Sequence, residues 1–193
     1  MARPREFDSN AALENAMQVF WANGYKATSL DDLCASTGLG RSSLYAAFGD
    51  KRGLYLKALD RYEGAGVDRI TAALARAPLR KALARFLDRV INDIVAGPGR
   101  SGCFIGNCAA ELAHGDRTAA TRVRRSLDRI QAVFRDALVR ARTRGEIAAN
   151  ADVDALARFL VAGTQGLRLI GKAKPQRAAL NDIAAVMLNC LDL

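Results

Sequence analysis

The sequence predicts an all-α fold, and three observations support this prediction. Half of the 193 residues are hydrophobic, and the helix formers Ala, Leu and Arg are abundant while aromatic residues make up only 6%. Apolar residues recur at intervals of three and four along most of the chain, which is the period of an amphipathic helix. Glycine, proline and short polar residues stand between these stretches, where helices begin and end.

Composition narrows the classes of function. No apolar run approaches the ~18 to 20 residues that a membrane-spanning helix needs. Charged residues are present among the first ten positions, where the apolar region of a signal peptide would lie. We therefore expect a cytoplasmic protein. The four cysteines lack the close spacing of a disulfide framework, so we expect free thiols in a reducing compartment. They are Cys34, Cys103, Cys108 and Cys190.

The formal net charge of +9 invites a nucleic-acid interpretation. The residues before Arg61, however, carry seven Lys or Arg against seven Asp or Glu, so the surplus of positive charge lies in the later helices. Net charge alone therefore does not indicate DNA binding, and such a prediction has to come from a local motif.

Three helices are predicted in the first 50 residues. The first spans residues 9–23 and ends at Gly24, which we expect as a left-handed cap. The second begins after Ser29, whose hydroxyl can cap the first turn, and ends at Gly38. The third spans Arg41–Phe48. The apolar side chains expected to face the core of this unit are Leu13, Ala16, Met17, Phe20, Trp21, Leu30, Leu33, Cys34, Leu39, Leu44 and Phe48.

A fourth helix is predicted from its N-cap Asp50 to about Arg76, as a connector between two domains. Gly64 and Gly66 stand in its middle, where they either bend or loosen the helix as a hinge or relieve crowding against a neighbour. The predicted division is a DNA-binding domain at residues 1–50, the connector at 51–76, and a regulatory and dimerisation domain at 77–193.

Five helices are predicted in the second domain. They run from Pro78 to the glycines at 97–102, then over Phe104–Ala113, Asp116–Arg144, and about residues 152–171 and 175–191. The helix at about 152–171 carries apolar residues on more than one face, and the last helix offers an apolar stripe as a partner, so we expect the two to form half of a four-helix interface with a second copy of the chain. Gly163 and Gly166 would let a neighbouring helix approach closely.

The third helix offers a candidate DNA-binding face. If Leu44 faces the core, a rotation of ~100° per residue places Ser42 and Ala46 on the outer side. Arg41 and Tyr45 then lie on one flank. Arg41 suits a guanine edge, Ser42 a base edge or phosphate, and Ala46 a thymine methyl group. Tyr45 suits a phosphate oxygen, although it could instead be a half-buried core aromatic.

Three segments of this region resemble the DNA-binding domain of the TetR family: Gly24–Leu30, Gly38–Tyr45 and Phe48–Leu54. Their order of glycines and capping residues is more restrictive than any single motif, and the resemblance covers about residues 8–62. It implies a helix-turn-helix repressor that binds a palindromic operator as a homodimer, with recognition helices ~34 Å apart. The candidate DNA contacts are Thr28, Ser29, Arg41, Ser42, Ser43, Tyr45, Ala46 and Lys51.

One position departs from the family pattern, in which a His often precedes the motif's Phe. This chain has Ala47 there, so a common backbone contact is expected to be absent and affinity to depend more on Arg41 and Lys51. The N-terminal Arg3 and Arg5 either reach the minor groove or form a solvated tail.

The resemblance also implies a C-terminal sensor whose small-molecule ligand favours a geometry that does not bind DNA. Residues 102–112 are similar to a segment of the TetR subgroup that includes N-ethylmaleimide reductase and acrylate-responsive repressors. Some of these sense electrophiles through a Cys at the position of Cys103, where the helix dipole and Arg100 would favour a thiolate. Alternatively, Cys103 is a buried small hydrophobe and the inducer is a non-covalent hydrophobic ligand. The candidate sensing residues are Phe86, Cys103, Phe104, Cys108 and Phe134.

Other functions are disfavoured by the spacing of their residues. Cys103, Cys108 and His114 lack the paired spacing of zinc sites, so we expect no metal and no cofactor, with His114 at the end of a helix. Gly97–Gly102 fits the pattern G-x-G-x-x-G, but a helical pattern precedes it rather than a strand. No third group orients a cysteine–histidine pair, so an enzyme is not expected. A helical scaffold that does not bind DNA is the remote alternative.

Overall fold

The computed structural model describes residues 8–75 and 78–192, and these residues form nine α-helices, two short 3-10 turns and no strand. The all-α prediction is confirmed. The 3-10 turns are Pro98–Ser101 and Cys190–Asp192. The helices are α1 (Ser9–Asn23), α2 (Leu30–Thr37), α3 (Arg41–Phe48), α4 (Lys51–Leu74), α5 (Leu79–Ala96), α6 (Phe104–Glu111), α7 (Arg117–Thr143), α8 (Val153–Ala173) and α9 (Arg177–Asn189).

The predicted caps of the first helices are present. Ser29 and Asp32 form a capping box, in which the Asp32 N–H donates to Ser29 Oγ (3.1 Å) and the Ser29 N–H donates to Asp32 Oδ2 (2.8 Å). Asp50 Oδ1 accepts the Gly53 N–H at 2.6 Å and so begins α4. Gly38 ends α2 in the left-handed conformation (φ 70°, ψ 13°). Local sequence signals therefore account for the helix-turn-helix.

The prediction for Gly24 was wrong in its geometry. This residue has a positive φ of 84°, but its ψ of 172° lies outside the left-handed helical region. The reason is a tertiary contact, because Glu111 at the end of α6 accepts the backbone N–H groups of Tyr25 (2.8 Å) and Lys26 (2.6 Å). The chain leaves α1 in a direction that this contact sets.

Two hydrophobic cores share α4. The first core comprises side chains of α1 to α3 and the first half of α4, together with α6 and the start of α7. The second core comprises the end of α4, α5, the rest of α7, α8 and α9. Along α4, residues from Leu54 to Tyr62 enter the first core, whereas Ile70 and Leu74 enter the second. The predicted boundary at residue 77 therefore does not follow the packing, because α6 lies with the DNA-binding unit.

Gly64 and Gly66 do not interrupt α4, and no neighbouring helix packs closely against them. The helix is continuous from Lys51 to Leu74. A Cβ added at Gly64 or Gly66 would meet no atom within 4 Å, so the interpretation that they relieve crowding was wrong. Both residues instead border cavities, Gly66 a small chamber and Gly64 an open cleft.

Smaller differences concern helix ends and faces. The connector helix ends at Leu74 rather than near Arg76, and α6 ends at Glu111 rather than at Ala113, so His114 lies in an exposed turn. Several apolar side chains predicted to face the core of the first unit are only half-buried. These are Leu13, Trp21, Leu30, Cys34 and Leu39. No helix in the described ranges is both long and apolar enough to span a membrane.

Candidate DNA-binding surface and regulatory cavity

The outer side of α3 is open to solvent, as the sequence predicts. Leu44 and Phe48 are buried and hold the helix against the first core. The opposite side is exposed along its whole length, and the Tyr45 side chain is 40% exposed, which argues against its being a core aromatic. The exposed residues of this surface are Arg41, Ser42, Ser43, Tyr45 and Ala46.

Arg41 is paired within its own surface. Its guanidinium donates to Asp31 Oδ1 on α2 at 2.7 Å, and this hydrogen bond raises the pKa of Arg41. Both side chains are well exposed, and exposed ion pairs contribute little to stability because water and salt screen them. The arginine is therefore free to leave Asp31 for a stronger acceptor.

The other candidate contacts differ in accessibility. Thr28 is buried and its hydroxyl donates to the Gly24 carbonyl at 2.6 Å, so a DNA contact by this side chain would require that bond to break. The Ser29 hydroxyl is engaged in the capping box. Lys51 places its Nζ 4.5 Å from the centroid of the Tyr25 ring, a cation–π contact at the edge of the surface. Arg3 and Arg5 lie outside the described residues.

The α3 helix has one cationic neighbour that the sequence analysis did not single out. Lys57 on α4 donates to the Ala47 carbonyl at 3.2 Å and lies 5.2 Å from the centroid of the Phe48 ring. A cation at the C-terminal end of a helix complements the helix dipole. Local patterns carry no signal for this contact, because the two residues are ten positions apart and lie on different helices.

Polar contacts join the DNA-binding unit to α6 and α7. Trp21 Nε1 donates to the Gly102 carbonyl at 3.1 Å, and Arg52 donates two bonds to Asp116 at 2.7 and 2.8 Å. With the Glu111 contacts to the turn after α1, they fasten both ends of α6 to the first domain. The sequence analysis missed this junction, whose partners are 64 to 86 residues apart.

Several arginines of α7 face α4. Arg122 and Arg125 contact Asp60 at 3.1 and 3.0 Å. Arg129 contacts Glu63 at 2.9 Å, and the Glu63 side chain is only 2% exposed. A buried carboxylate needs such a partner, because an unpaired buried charge is costly. Ion pairs therefore accompany the hydrophobic contacts between the two helices.

A chamber of about 80 Å³ lies where α4, α5, α7 and α8 meet the start of α6. Of the five candidate sensing residues, Cys103 and Phe86 line it. Phe104 and Cys108 are buried in the first core, and Phe134 packs edge-on against Phe86 with ring centroids 6.0 Å apart. The five residues therefore do not form one site.

The two buried cysteines have different surroundings. Cys108 belongs to the first core, and burial raises the pKa of its thiol, which favours the neutral form. Cys103 is the N-cap of α6 and borders the chamber, which Arg168 also lines. Arg100, the predicted cationic neighbour, is exposed and does not line the chamber. All four cysteines are free thiols.

Helices α8 and α9 expose a large apolar surface. Gly166 faces open space, whereas a Cβ at Gly163 would lie 2.6 Å from Met187 Cε, so Gly163 permits α9 to pack on α8 within one chain. Four of the five exposed large hydrophobic residues in the described ranges lie on these helices; they are Phe159, Leu169, Ile170 and Val186. Among the described residues, no group of three or more His, Cys, Asp or Glu is placed to hold a metal ion.

The fold and the α3 surface define a class of protein, the helix-turn-helix DNA-binding regulators with a separate helical domain. Residues 12–58 match the family described as bacterial regulatory proteins of the tetR family, and residues 73–187 match the tetracyclin repressor-like C-terminal domain. The chain belongs to the TetR family of helix-turn-helix transcriptional repressors, which bind DNA as dimers and are not enzymes.

Individual relatives agree with this assignment. The HTH-type transcriptional repressor ComR of Escherichia coli is 33% identical, over 96% of this chain and 90% of ComR. A cysteine mutant of the TetR family regulator CifR, solved with 26 bp of operator DNA, has a TM-score of 0.85 and 30% identity, covering 97% of this chain and 98% of CifR. The reduced form of E. coli NemR has a TM-score of 0.82, covering 94% of this chain and 96% of NemR, and at 19% identity it shows the fold alone.

Proposed function

We propose that this protein represses transcription by binding a palindromic operator and that a small molecule releases it. The observation that carries the DNA-binding part is the exposed side of α3, held outward by Leu44 and Phe48. The operator complex of CifR supports it, because that chain is similar to this one over nearly its whole length. The site of action would be the cytoplasm, where the DNA is.

The proposed contacts divide into base readout and phosphate anchoring. Arg41 would exchange Asp31 for a guanine edge, with Ser42 on a base edge and Ala46 against a thymine methyl group. Tyr45 and Lys51 would bind phosphate oxygens and set the register. The remaining proposed contacts, to the backbone of the duplex, are Thr28, Ser29 and Ser43.

The proposed dimer forms through the helices at about 152–171 and 175–191. Leu169 is 70% exposed and Val186 is 65% exposed, and exposed apolar surface of this extent indicates an interface. The proposed functional regions are a DNA-binding domain at residues 1–50, a connector at 51–76, and a sensing and dimerisation domain at 77–193.

Cys103 is the proposed sensor of an electrophilic inducer. It borders the chamber between the two cores, at the start of a helix whose other end holds the turn after α1 through Glu111. In the reaction, the Cys103 sulfur bonds to one carbon of an activated double bond in the ligand, the π bond and the S–H bond break, and the thiol proton ends on the neighbouring carbon. An adduct that displaces α6 would move this turn and change the separation of the recognition helices. The CifR structure supports attention to cysteine, since it is that of a cysteine mutant.

Two cysteine variants test the sensor. Operator DNA is identified by selecting bound sequences from random duplexes, and release is followed after mild alkylation of the native protein, Cys103→Ser and Cys108→Ser. We expect alkylation to release DNA from the native protein and from Cys108→Ser, but not from Cys103→Ser. An equal release of all three proteins would reject Cys103 as the sensor. Release of none of them would favour a non-covalent hydrophobic inducer, with Cys103 purely structural. Failure to retard any duplex at low salt would reject the repressor itself.

A further inference from the structure

The basic residues of the chain are concentrated on α7. This helix carries eight Arg against two Asp, which is six of the nine net positive charges of the chain. The residues before Arg61 carry equal numbers of basic and acidic side chains, so the helix-turn-helix is close to neutral. Since attraction to the phosphate backbone supplies much of the affinity of proteins for DNA, the position of the α7 arginines bears on DNA binding.

Helix α7 begins beside the start of α4 and runs parallel to it. Arg52 in the first turn of α4 bonds to Asp116, the N-cap of α7, at 2.7 and 2.8 Å. Glu63, eleven residues further along α4, bonds to Arg129, thirteen residues further along α7. The first residue of α4 is Lys51, a proposed phosphate contact that follows α3 closely in the chain. The first turn of α7 therefore lies at the end of α4 that adjoins the α3 surface.

Two arginines in the first half of α7 have no acidic partner in the described ranges. Arg117 and Arg124 are exposed, and neither forms an ion pair there, whereas Arg122 and Arg125 share Asp60. Seven residues are nearly two turns of helix, so Arg117 and Arg124 project from the same side of α7, about 10 Å apart along its axis. Their charges are therefore available to an anion outside the chain.

An open groove at the start of α7 has the chemistry of an oxyanion site. It is lined by Arg117, Thr118, Thr121, Arg122 and Arg125, and this lining, among the described residues, contains no Asp or Glu. Guanidinium groups and threonine hydroxyls are common donors to phosphate oxygens. The groove therefore suits the sugar–phosphate backbone of a duplex rather than a base edge.

We propose that the start of α7 extends the DNA-binding surface, with Arg117 bound to a backbone phosphate and Arg124 adding a longer-range attraction. This inference rests on the proposed DNA binding and adds a contact outside the helix-turn-helix. A phosphate contact reads no base, so it strengthens binding to the operator and to unrelated duplexes alike. Arg124 lies about 10 Å further from the end that carries Lys51, so salt screens its contribution more strongly.

Arg117→Ala and Arg117→Lys test the contact. Arg117→Ala should weaken binding to the operator and to a shuffled duplex of the same length by the same factor, about 3- to 10-fold. The slope of log affinity against log salt concentration should become shallower by about 2, because one phosphate contact is lost in each subunit of the dimer. Arg117→Lys keeps the charge and should stay within about twofold of the native protein. Arg124→Ala should lose less affinity than Arg117→Ala.

Arg135→Ala is the matched control on the same helix. Arg135 is also exposed, but it lies about 27 Å beyond Arg117 along α7 and is paired with Asp154 at 2.7 Å. This variant should bind both duplexes as the native protein does. The unfolding transitions of all these variants should match that of the native protein, because the replaced side chains are exposed.

Ethylation of individual phosphates locates the contact on the duplex. In each half-site, one phosphate whose ethylation weakens binding of the native protein should no longer matter for Arg117→Ala. An identical interference pattern for the two proteins would overturn the contact.

The outcomes separate this inference from the repressor itself. If the native protein binds its operator and Arg117→Ala binds equally well with the same salt dependence, the α7 contact is overturned and DNA binding stands. A loss confined to the operator would also overturn it, because a phosphate contact acts on every sequence. An equal loss in Arg135→Ala would show an effect of net charge without a local contact. If the native protein retards no duplex at low salt, the repressor fails and this inference fails with it.

Discussion

Helices α3 and α6 are both eight residues long, yet they are packed in opposite ways. Only Leu44 and Phe48 of α3 are buried, and its other side is open. Helix α6 buries Phe104, Ile105 and Cys108 in the first core, while the residue before it borders the chamber. A surface that is separate from the core can change its specificity without loss of the fold, whereas the proposed sensor beside the core would link ligand binding to packing.

A chain of aromatic contacts connects α6 to Lys51 at the start of α4. The Phe104 ring lies 5.1 Å from Tyr55 in an edge-to-face contact, Tyr55 lies 5.0 Å from Tyr25, and Lys51 lies over Tyr25. A displacement of α6 therefore has a continuous packed route to a proposed phosphate contact.

The largest effect on stability is expected from Phe104→Ala, which tests whether α6 stabilises the first core. Phe104 is fully buried and contacts Tyr55 and Tyr62 edge-on. Its loss should lower the free energy of unfolding by about 3 to 5 kcal/mol, since the cavity adds to the lost burial. Denaturant unfolding at equal protein concentration measures this, with Phe104→Leu expected to lose less. A loss below about 1 kcal/mol would show that α6 does not stabilise the core.

The opposite behaviour is expected at the α3 surface. Replacing Tyr45 and Lys51 together by Ala should weaken operator binding by about 10- to 100-fold and reduce its salt dependence, because two phosphate contacts are lost. The unfolding transition should stay close to that of the native protein, because neither side chain is buried. Lys81→Ala on α5 removes an exposed positive charge elsewhere and serves as the control. Unchanged affinity of the double variant would contradict the proposed contacts.

The junction after α6 should make stability depend on acid. The hydrogen bonds from Arg52 hold the pKa of Asp116 well below its ordinary value of 3.8. The stabilisation from ionised Asp116 is thus fully present above that value and is lost as the pH falls further towards the lowered pKa. Asp116→Ala should lose about 1 kcal/mol at pH 7, and its difference from the native protein should shrink below about pH 4.

Asp152→Ala is the matched control for the junction. Asp152 caps α8 through two backbone N–H groups as Asp116 caps α7, but no arginine among the described residues pairs with it. Chemical unfolding from pH 7 to pH 3 compares the two variants. A constant difference between Asp116→Ala and the native protein across this range would refute the coupling of Asp116 to Arg52.

The smallest effect on stability is expected from Gly64→Ala, which tests whether Gly64 is a hinge or only lines the cleft beside α4. Because an added Cβ has open space around it, the variant should gain about 0.5 to 1 kcal/mol from helix propensity. Gly53→Ala in the same helix is the contrast, since its Cβ would lie 2.5 Å from the Phe48 carbonyl and should destabilise. If Gly64→Ala also weakens the response to inducer, Gly64 acts as a hinge; an unchanged response leaves it only a lining residue.

Short-range signals determined the helices, the caps at Ser29 and Asp50, and the outward side of α3. Each depends on residues within about four positions of one another, where backbone hydrogen bonds and the helical period decide the structure. That is why the family resemblance and the candidate DNA-binding face were accessible from the sequence.

Tertiary structure alone decided where α6 lies and which side chains line the chamber. Glu111 contacts the turn at Tyr25, Trp21 contacts Gly102, and Arg52 contacts Asp116. These features arise from contacts between segments 60 or more residues apart or from space left between helices. The helical period tells which side of a helix is apolar, but not which helix covers it.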